Sequence, residues 1–238
     1  MSPTVLVTGA SRGIGLAAAE ALLQDGATVI AVQRSVTDGL KTLEKKFPGK
    51  LHIVKGDLTA DIAAALNVTP SLDVVILNAA VNLPLGRLSQ IAIQDVRNIY
   101  DVNVFGVIKF MQAALPKLRE SKGKAILVSS AAGEFGLQGI GGYSSSKAAL
   151  NQVSRTFAAE EPDVTVIAFH PGGVKTEMAE VTAQEAPKHM DAATAARILD
   201  DLVEPEVPGS GLRNLALRAP KEYSGKYLYY NDPLVTDL

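Results

Sequence analysis

Tyr143 and Lys147 stand four residues apart at the start of a stretch of helical period, which places both side chains on one face within mutual reach. A phenol beside an ammonium group is suited to moving protons. A free tyrosine titrates near about 10, too high for general acid–base work around neutrality. A unit charge about 4 Å away, at an effective dielectric of about 20, is worth roughly 4 kcal/mol or about three pKa units, so the pairing predicts a Tyr143 that titrates near neutrality. Upstream, Ser129 and Ser130 end a β-branched run, at the carboxyl edge where open α/β sheets hold ligands. Asn103 falls inside a helical stretch that otherwise favours Val, Phe and Ile, where an asparagine is unfavourable. Taken one at a time, each has a plain structural reading: a surface Tyr–Lys pair, strand-end serines, a tolerated polar residue.

A second group lies near the start. Thr8-Gly9-Ala10-Ser11-Arg12-Gly13-Ile14-Gly15 falls between a Val/Leu-rich strand and the first helix. Glycines there let the backbone turn tightly and approach a pyrophosphate, and the helix N-terminus adds unpaired N–H groups. The alternative is an ordinary glycine-rich turn; three glycines opening a strand-to-helix unit favour dinucleotide binding, in the spacing G-x-x-x-G-x-G. The next strand ends at Val32-Gln33-Arg34, where an NAD site would carry a ribose-reading acid. Gln33 is neutral and Arg34 is a fork donor suited to phosphate, so NADP(H) is favoured, with Arg12 on the other side of the same group. Asp57 either accepts from the adenine amino group or caps a short helix beginning near Ala60.

The elements that must carry these residues follow from the hydrophobic period. Strands are expected over 4–8, 28–32, 51–55, 73–77, 124–129, 164–169 and 226–230, and helices over 14–24, 36–47, 91–118 and 143–160. The alternation predicts an α/β chain of the Rossmann type, a doubly wound, mostly parallel seven-stranded sheet with helices on both faces, in a single domain over 1–238. From Pro171 to Gly225 the rhythm breaks, with a weak helical patch at 192–202 between loop-like stretches; residues 174–211 read as a substrate flap.

Composition mostly excludes. Without cysteine there is no disulfide scaffold, iron–sulfur cluster or thiol nucleophile. The formal charge of −2 carries no basic block, which disfavours nucleic acid. The first apolar run, Val5 to Val7, is too short for a leader or a membrane span, so a cytoplasmic protein is expected. His52, His170 and His189 occur singly, without the spacing of a metal site; His170 reads as packing or hydrogen bonding near the Pro171-Gly172 turn.

In their order along the chain these residues resemble the short-chain dehydrogenase/reductase family. Gly9, Gly13 and Gly15 match its cofactor loop, Asn78-Ala79 its Asn-Ala-Gly element, and Asn103, Ser130, Tyr143 and Lys147 its catalytic tetrad, with Ser130 thirteen residues before the tyrosine. Pro171-Gly172-Gly173-Val174-Lys175-Thr176 matches the segment that packs on the nicotinamide and pyrophosphate. Ala159 to Pro162 and the ending Tyr227 to Asp232 resemble the branch that holds benzil and sepiapterin reductases.

The resemblance implies hydride transfer from a nicotinamide to a carbonyl carbon, with Tyr143 as proton donor and Ser130 as hydrogen-bond donor to the carbonyl oxygen. It further implies that Lys147 bonds the nicotinamide ribose and that Asn103 holds a water linking Lys147 to solvent. Cofactor contacts are expected from Gly9, Ser11, Arg12, Gly13, Ile14, Gly15, Arg34, Asp57, Asn78, Ala79, Tyr143, Lys147, Pro171, Gly172, Val174 and Thr176. The expected substrate is an apolar or aromatic ketone or 1,2-diketone, with Ala131, Phe135, Leu137, Met178 and Val181 lining its pocket or packing the lid. Two other readings stand beside it: a pterin carbonyl reductase, against which Tyr229 occupies the place of the pterin-anchoring acid, and a non-catalytic NADP sensor. The chain departs from the family at Leu77 and Ala80, which predicts a lost sheet-stabilising hydrogen bond, and the stretch from Asp57 to Asn78 is compressed. The resemblance also implies a homodimer or homotetramer built on the long helices.

Overall fold

The structure, a computed structural model, describes residues 2–56 and 62–238. Asp57 therefore lies outside the described residues. Seven short aliphatic runs form one sheet: β1 Thr4–Thr8, β2 Thr28–Gln33, β3 Leu51–Lys55, β4 Val74–Leu77, β5 Lys124–Val128, β6 Thr165–His170 and β7 Tyr227–Tyr229. All pairings are parallel, in the order β3-β2-β1-β4-β5-β6-β7. The order reverses between β1 and β4, so the chain leaves a crevice at the carboxyl ends of those two strands. Asp73 fixes the opposite end, where its carboxylate accepts from the Thr4 amide at 2.7 Å.

Ten helices surround the sheet among the described residues: α1 Gly13–Gln24, α2 Asp38–Lys46, α3 Ile62–Leu66, α4 Ile93–Tyr100, α5 Gly106–Ser121, α6 Gly141–Glu160, α7 Glu177–Glu185, α8 Ala192–Ala196, α9 Glu206–Arg218 and α10 Pro233–Thr236. Strand residues alternate between two cores, as a period of two requires. Val5, Val7, Ile76, Val128 and Phe169 pack against α1 and α9, while Leu6, Val75, Leu77, Leu127 and Val166 pack against α5 and α6. Among the described residues no helix is long and apolar enough to cross a membrane.

Two expectations change. The single helix expected over 91–118 is two, α4 and α5, joined by a π-helical turn at Asp101–Phe105. The cause is Asn103, whose side chain is turned inward and 1% exposed, so that the ladder widens to accommodate it. The stretch read as a flap with one weak helix holds α7 and the well-packed α9 as well. Pro208, Gly209 and Gly211 look like breakers in sequence, yet they let α9 approach closely: a Cβ on Gly209 would stand 2.9 Å from the Ala17 side chain, and one on Gly211 would press on Val235 and Phe169.

Candidate active site

The glycine loop runs from β1 into α1 on the crevice. Gly9 and Gly13 have φ of +67° and +54°, and a side chain on Gly15 would collide with the Gly9 carbonyl and the Asn78 amide. Asn78 donates from Nδ2 to the Thr8 carbonyl at 3.0 Å, and the Asn78 and Ala79 amides donate to Thr8 Oγ1 at 3.0 and 3.1 Å. Thr8 and Asn78 thus tie β1 to β4. Thr37, the N-cap of α2, donates to the Ser11 carbonyl at 2.6 Å and fixes the outer limb of the loop.

The segment after β6 closes on this loop. Thr176 faces Gly13, with its methyl carbon 3.1 Å from where a Cβ would stand, and caps α7 by accepting from Ala179. Gly172 has φ of +83° and lies against the Tyr230 ring; Val174 is buried, and its neighbours Gly173 and Lys175 bond the Val203 backbone at 2.9 Å. Arg12 is turned toward α7, where it pairs with Glu177, so the expected position opposite Arg34 is not the one it takes. Arg34 is exposed at the end of β2.

A dinucleotide suits these residues on three observations. The first turn of α1 has neither a side-chain cap nor an acidic residue, the glycines keep its amides approachable, and Gln33 Oε1 is buried without a hydrogen-bond partner among the described residues.

Ser130, Tyr143 and Lys147 meet on the far side of the crevice. Ser130 leaves β5 and caps a 3-10 turn, Ala131–Gly133, its Oγ accepting from the Ala132 amide at 3.2 Å. That turn touches the α6 backbone because Gly133 has no side chain: a Cβ there would stand 2.7 Å from the Ala148 amide. Lys147 is buried, donates to the Val128 carbonyl at 2.8 Å and lies 5.6 Å from the Tyr143 ring centroid.

Their charge states differ from the expectation. Burial holds the Tyr143 phenol above the ordinary tyrosine range, opposed by its hydrogen bonding with Ser130, and burial brings Lys147 down to about 7. The reason is that Lys147 shares the burial: an ammonium that is itself desolvated and aimed at a carbonyl oxygen does little to pull down the phenol.

Asn103 stands behind the site. Its Oδ1 accepts from the Val81 amide at 2.9 Å, and its Nδ2 donates to the Val81 carbonyl at 2.8 Å and to Ser146 Oγ at 3.0 Å. It therefore joins the loop after β4 to α6. His170, brought to about 4 by burial, accepts at Nδ1 from the Ala131 amide at 3.1 Å and so steadies the turn that carries Ser130.

Sequence reasoning missed Gly133 and Ser146, and it took Thr8 only as the opening residue of the glycine loop, without the role its hydroxyl plays toward Asn78 and Ala79. Of the residues expected to line a pocket, Phe135, after the turn that carries Ser130, and Met178, on α7, are 55% and 38% exposed. No group of three or more potential metal ligands gathers among the described residues.

The family profile described as short chain dehydrogenase matches residues 3–187. An uncharacterized oxidoreductase of Schizosaccharomyces pombe is 36% identical, over 94% of each chain. A benzil reductase ((S)-benzoin forming) of Saccharomyces cerevisiae is 30% identical, over 98% of this chain and 97% of its own. A short chain dehydrogenase/reductase of Saccharomyces cerevisiae superimposes with a TM-score of 0.92 at 33% identity, each chain covered to 99%. Similarity that runs from the glycine loop through the last strand, on a sheet of this order, places the protein in the short-chain dehydrogenase family of oxidoreductases, whose members work with nicotinamide cofactors.

Proposed function

We propose that the chain is an NADPH-dependent carbonyl reductase that converts a neutral apolar or aromatic ketone, or a 1,2-diketone, to the alcohol. The observation that carries this reading is the convergence of Ser130, Tyr143 and a fully buried Lys147 at the carboxyl edge, beside an uncapped helix N-terminus. A bound nicotinamide supplies the hydride. The chain supplies the rest. Tyr143, kept protonated by burial, gives its phenolic proton to the carbonyl oxygen, while Ser130 hydrogen-bonds that oxygen and the phenolate formed. Lys147 in its charged form stabilises the phenolate, and Asn103 holds α6 and the loop after β4 in register. Binding is assigned to the glycine loop, to Asn78 and Ala79, and to the segment from Pro171 to Thr176. Arg34, with Arg12 once released from Glu177, takes the 2′-phosphate.

Two measurements test it. NADPH consumption with a ketone panel that includes benzil should show turnover, and Tyr143→Phe should reduce kcat by roughly 10²- to 10⁴-fold with NADPH binding retained. NADPH should outperform NADH in kcat/KM, and Arg34→Asp should reverse the order; a wild type that prefers NADH refutes the assignment of Arg34. A second copy of the chain is placed against the face where α4 and the π-helical turn expose Ile93 and Phe105, 67% and 57% open.

A further inference from the structure

Beside Ser130 and Tyr143 the end of β7 carries a cluster that the proton-transfer chemistry does not use. Tyr227 and Tyr229 lie two residues apart on one face of the sheet, in register with Ala168 and His170 of β6. Leu228 between them packs into the core beneath α1 and α9, so the two tyrosines face the opposite side, the side covered by α6. Their rings meet edge to face at 5.4 Å, and Tyr229 meets His170 in the same way at 4.9 Å. The Tyr229 hydroxyl donates to Glu134, just past the turn that presents Ser130.

Tyr227 is different. Its hydroxyl oxygen is buried and has no hydrogen-bond partner among the described residues. A buried hydroxyl left unpaired costs about 1–3 kcal/mol, so one that persists at a site calls for an explanation. The phenol stays protonated: burial first, then the neighbouring charges of Glu134, Tyr229 and Tyr143, hold it above the ordinary tyrosine range. It is thus a fixed donor, and through the ring of Tyr229 it adjoins His170 and Glu134, which flank the turn that presents Ser130. Ala168, the smallest possible neighbour short of glycine, stands beside it on β6.

We propose that the Tyr227 hydroxyl donates a hydrogen bond to a second oxygen of the substrate, adjacent to the carbonyl held by Ser130 and Tyr143, and that Glu134 at the rim rejects a carboxylate in that place. The site then selects a neutral vicinal dicarbonyl over a simple ketone and over an α-keto acid. This rests on the carbonyl-reductase reading and narrows its substrate class. Glu134 acts by repulsion: among the described residues its carboxylate accepts from the Tyr229 hydroxyl, and an incoming anion meets its charge at the rim.

The test compares benzil with deoxybenzoin, the same skeleton with a methylene in place of the second carbonyl. In Tyr227→Phe, kcat/KM for benzil should fall roughly 3- to 10-fold further than that for deoxybenzoin, the worth of one neutral hydrogen bond, with the loss chiefly in KM. Because the hydroxyl has no partner within the described chain, the variant should melt no lower than wild type. Equal loss on both substrates overturns the proposal while leaving the carbonyl-reductase reading intact; no wild-type turnover of either ketone overturns that reading first. For the rim, wild type should reduce methyl benzoylformate at least tenfold better than benzoylformate, and Glu134→Gln should narrow the gap at low salt. A wild type that reduces both equally overturns the role of Glu134.

Discussion

Lys147 and His170 both enter the fold at the expense of their charged forms, and the direction of that effect on stability can be worked out. Lys147 titrates near 7 folded against 10.5 in a free chain. Between those values the unfolded chain holds the extra proton, so this residue's contribution to stability rises with pH from about 7 to 10.5, and its penalty is full below 7. The urea midpoint of wild type should therefore climb relative to that of Lys147→Met across this window; parallel curves would contradict it. His170 is lowered from 6.5 to about 4, so it favours folding above 6.5 and that contribution is lost as pH falls toward 4. Imidazole NMR should find His170 neutral at pH 5, with Nδ1 unprotonated and accepting from Ala131. At this scale the sequence singled out side chains that the structure brings together, because Tyr143, Lys147 and Ser130 are recognisable by type and spacing. It did not reveal their protonation. Spacing reports distance between charges, whereas desolvation depends on what covers them.

Among the elements, close backbone approach governs the geometry. The turn bearing Ser130 reaches α6 only because Gly133 lacks a Cβ, so Gly133→Ala should push the turn away, with about 1–3 kcal/mol lost from overpacking and a larger fractional loss in kcat/KM than in NADPH affinity. Denaturant unfolding and steady-state kinetics on one sample measure both; unchanged kinetics with lowered stability would separate the turn from the chemistry. The seven strands were legible because buried parallel strands are written as uninterrupted aliphatic runs. The split between α4 and α5 was not, since Asn103 differs from a tolerated polar residue only by its bonds to Val81 and Ser146. Nor was α9, where Gly209 serves the contact with α1 and Gly211 the contact with Phe169 and Val235, and both mimic a loop in one dimension.

For the whole molecule, the exposed Ile93 and Phe105 set a prediction about association. Phe105→Glu should lower the sedimentation coefficient to that of a single chain at micromolar concentration, while a wild type that already sediments as one chain would remove the second copy from the account. The ion pairs that join the crevice's outer bank, Arg12–Glu177 and Lys175–Glu204, are all more than half exposed, so each adds at most about 1 kcal/mol and should weaken with salt. The bank rests on α7 and on the Val174–Val203 bridge rather than on those charges.

The reversal of strand order between β1 and β4 also bears on how such a chain can change through descent. The glycine loop and Arg34, between β1 and β3, lie on one side of the crevice, and Ser130, Tyr143 and Lys147 on the other, with Asn78 and Thr176 reaching across to the glycine loop. One genetic crossover between β3 and β4 would therefore exchange the glycine loop and Arg34 as a block. Inheritance can then bring a new β1–β3 block to an old β4–β7 half provided the contacts of Asn78 and Thr176 with the glycine loop are kept, and the junction between β1 and β4, tied by Thr8, Asn78 and Asp73, is the seam that must stay compatible.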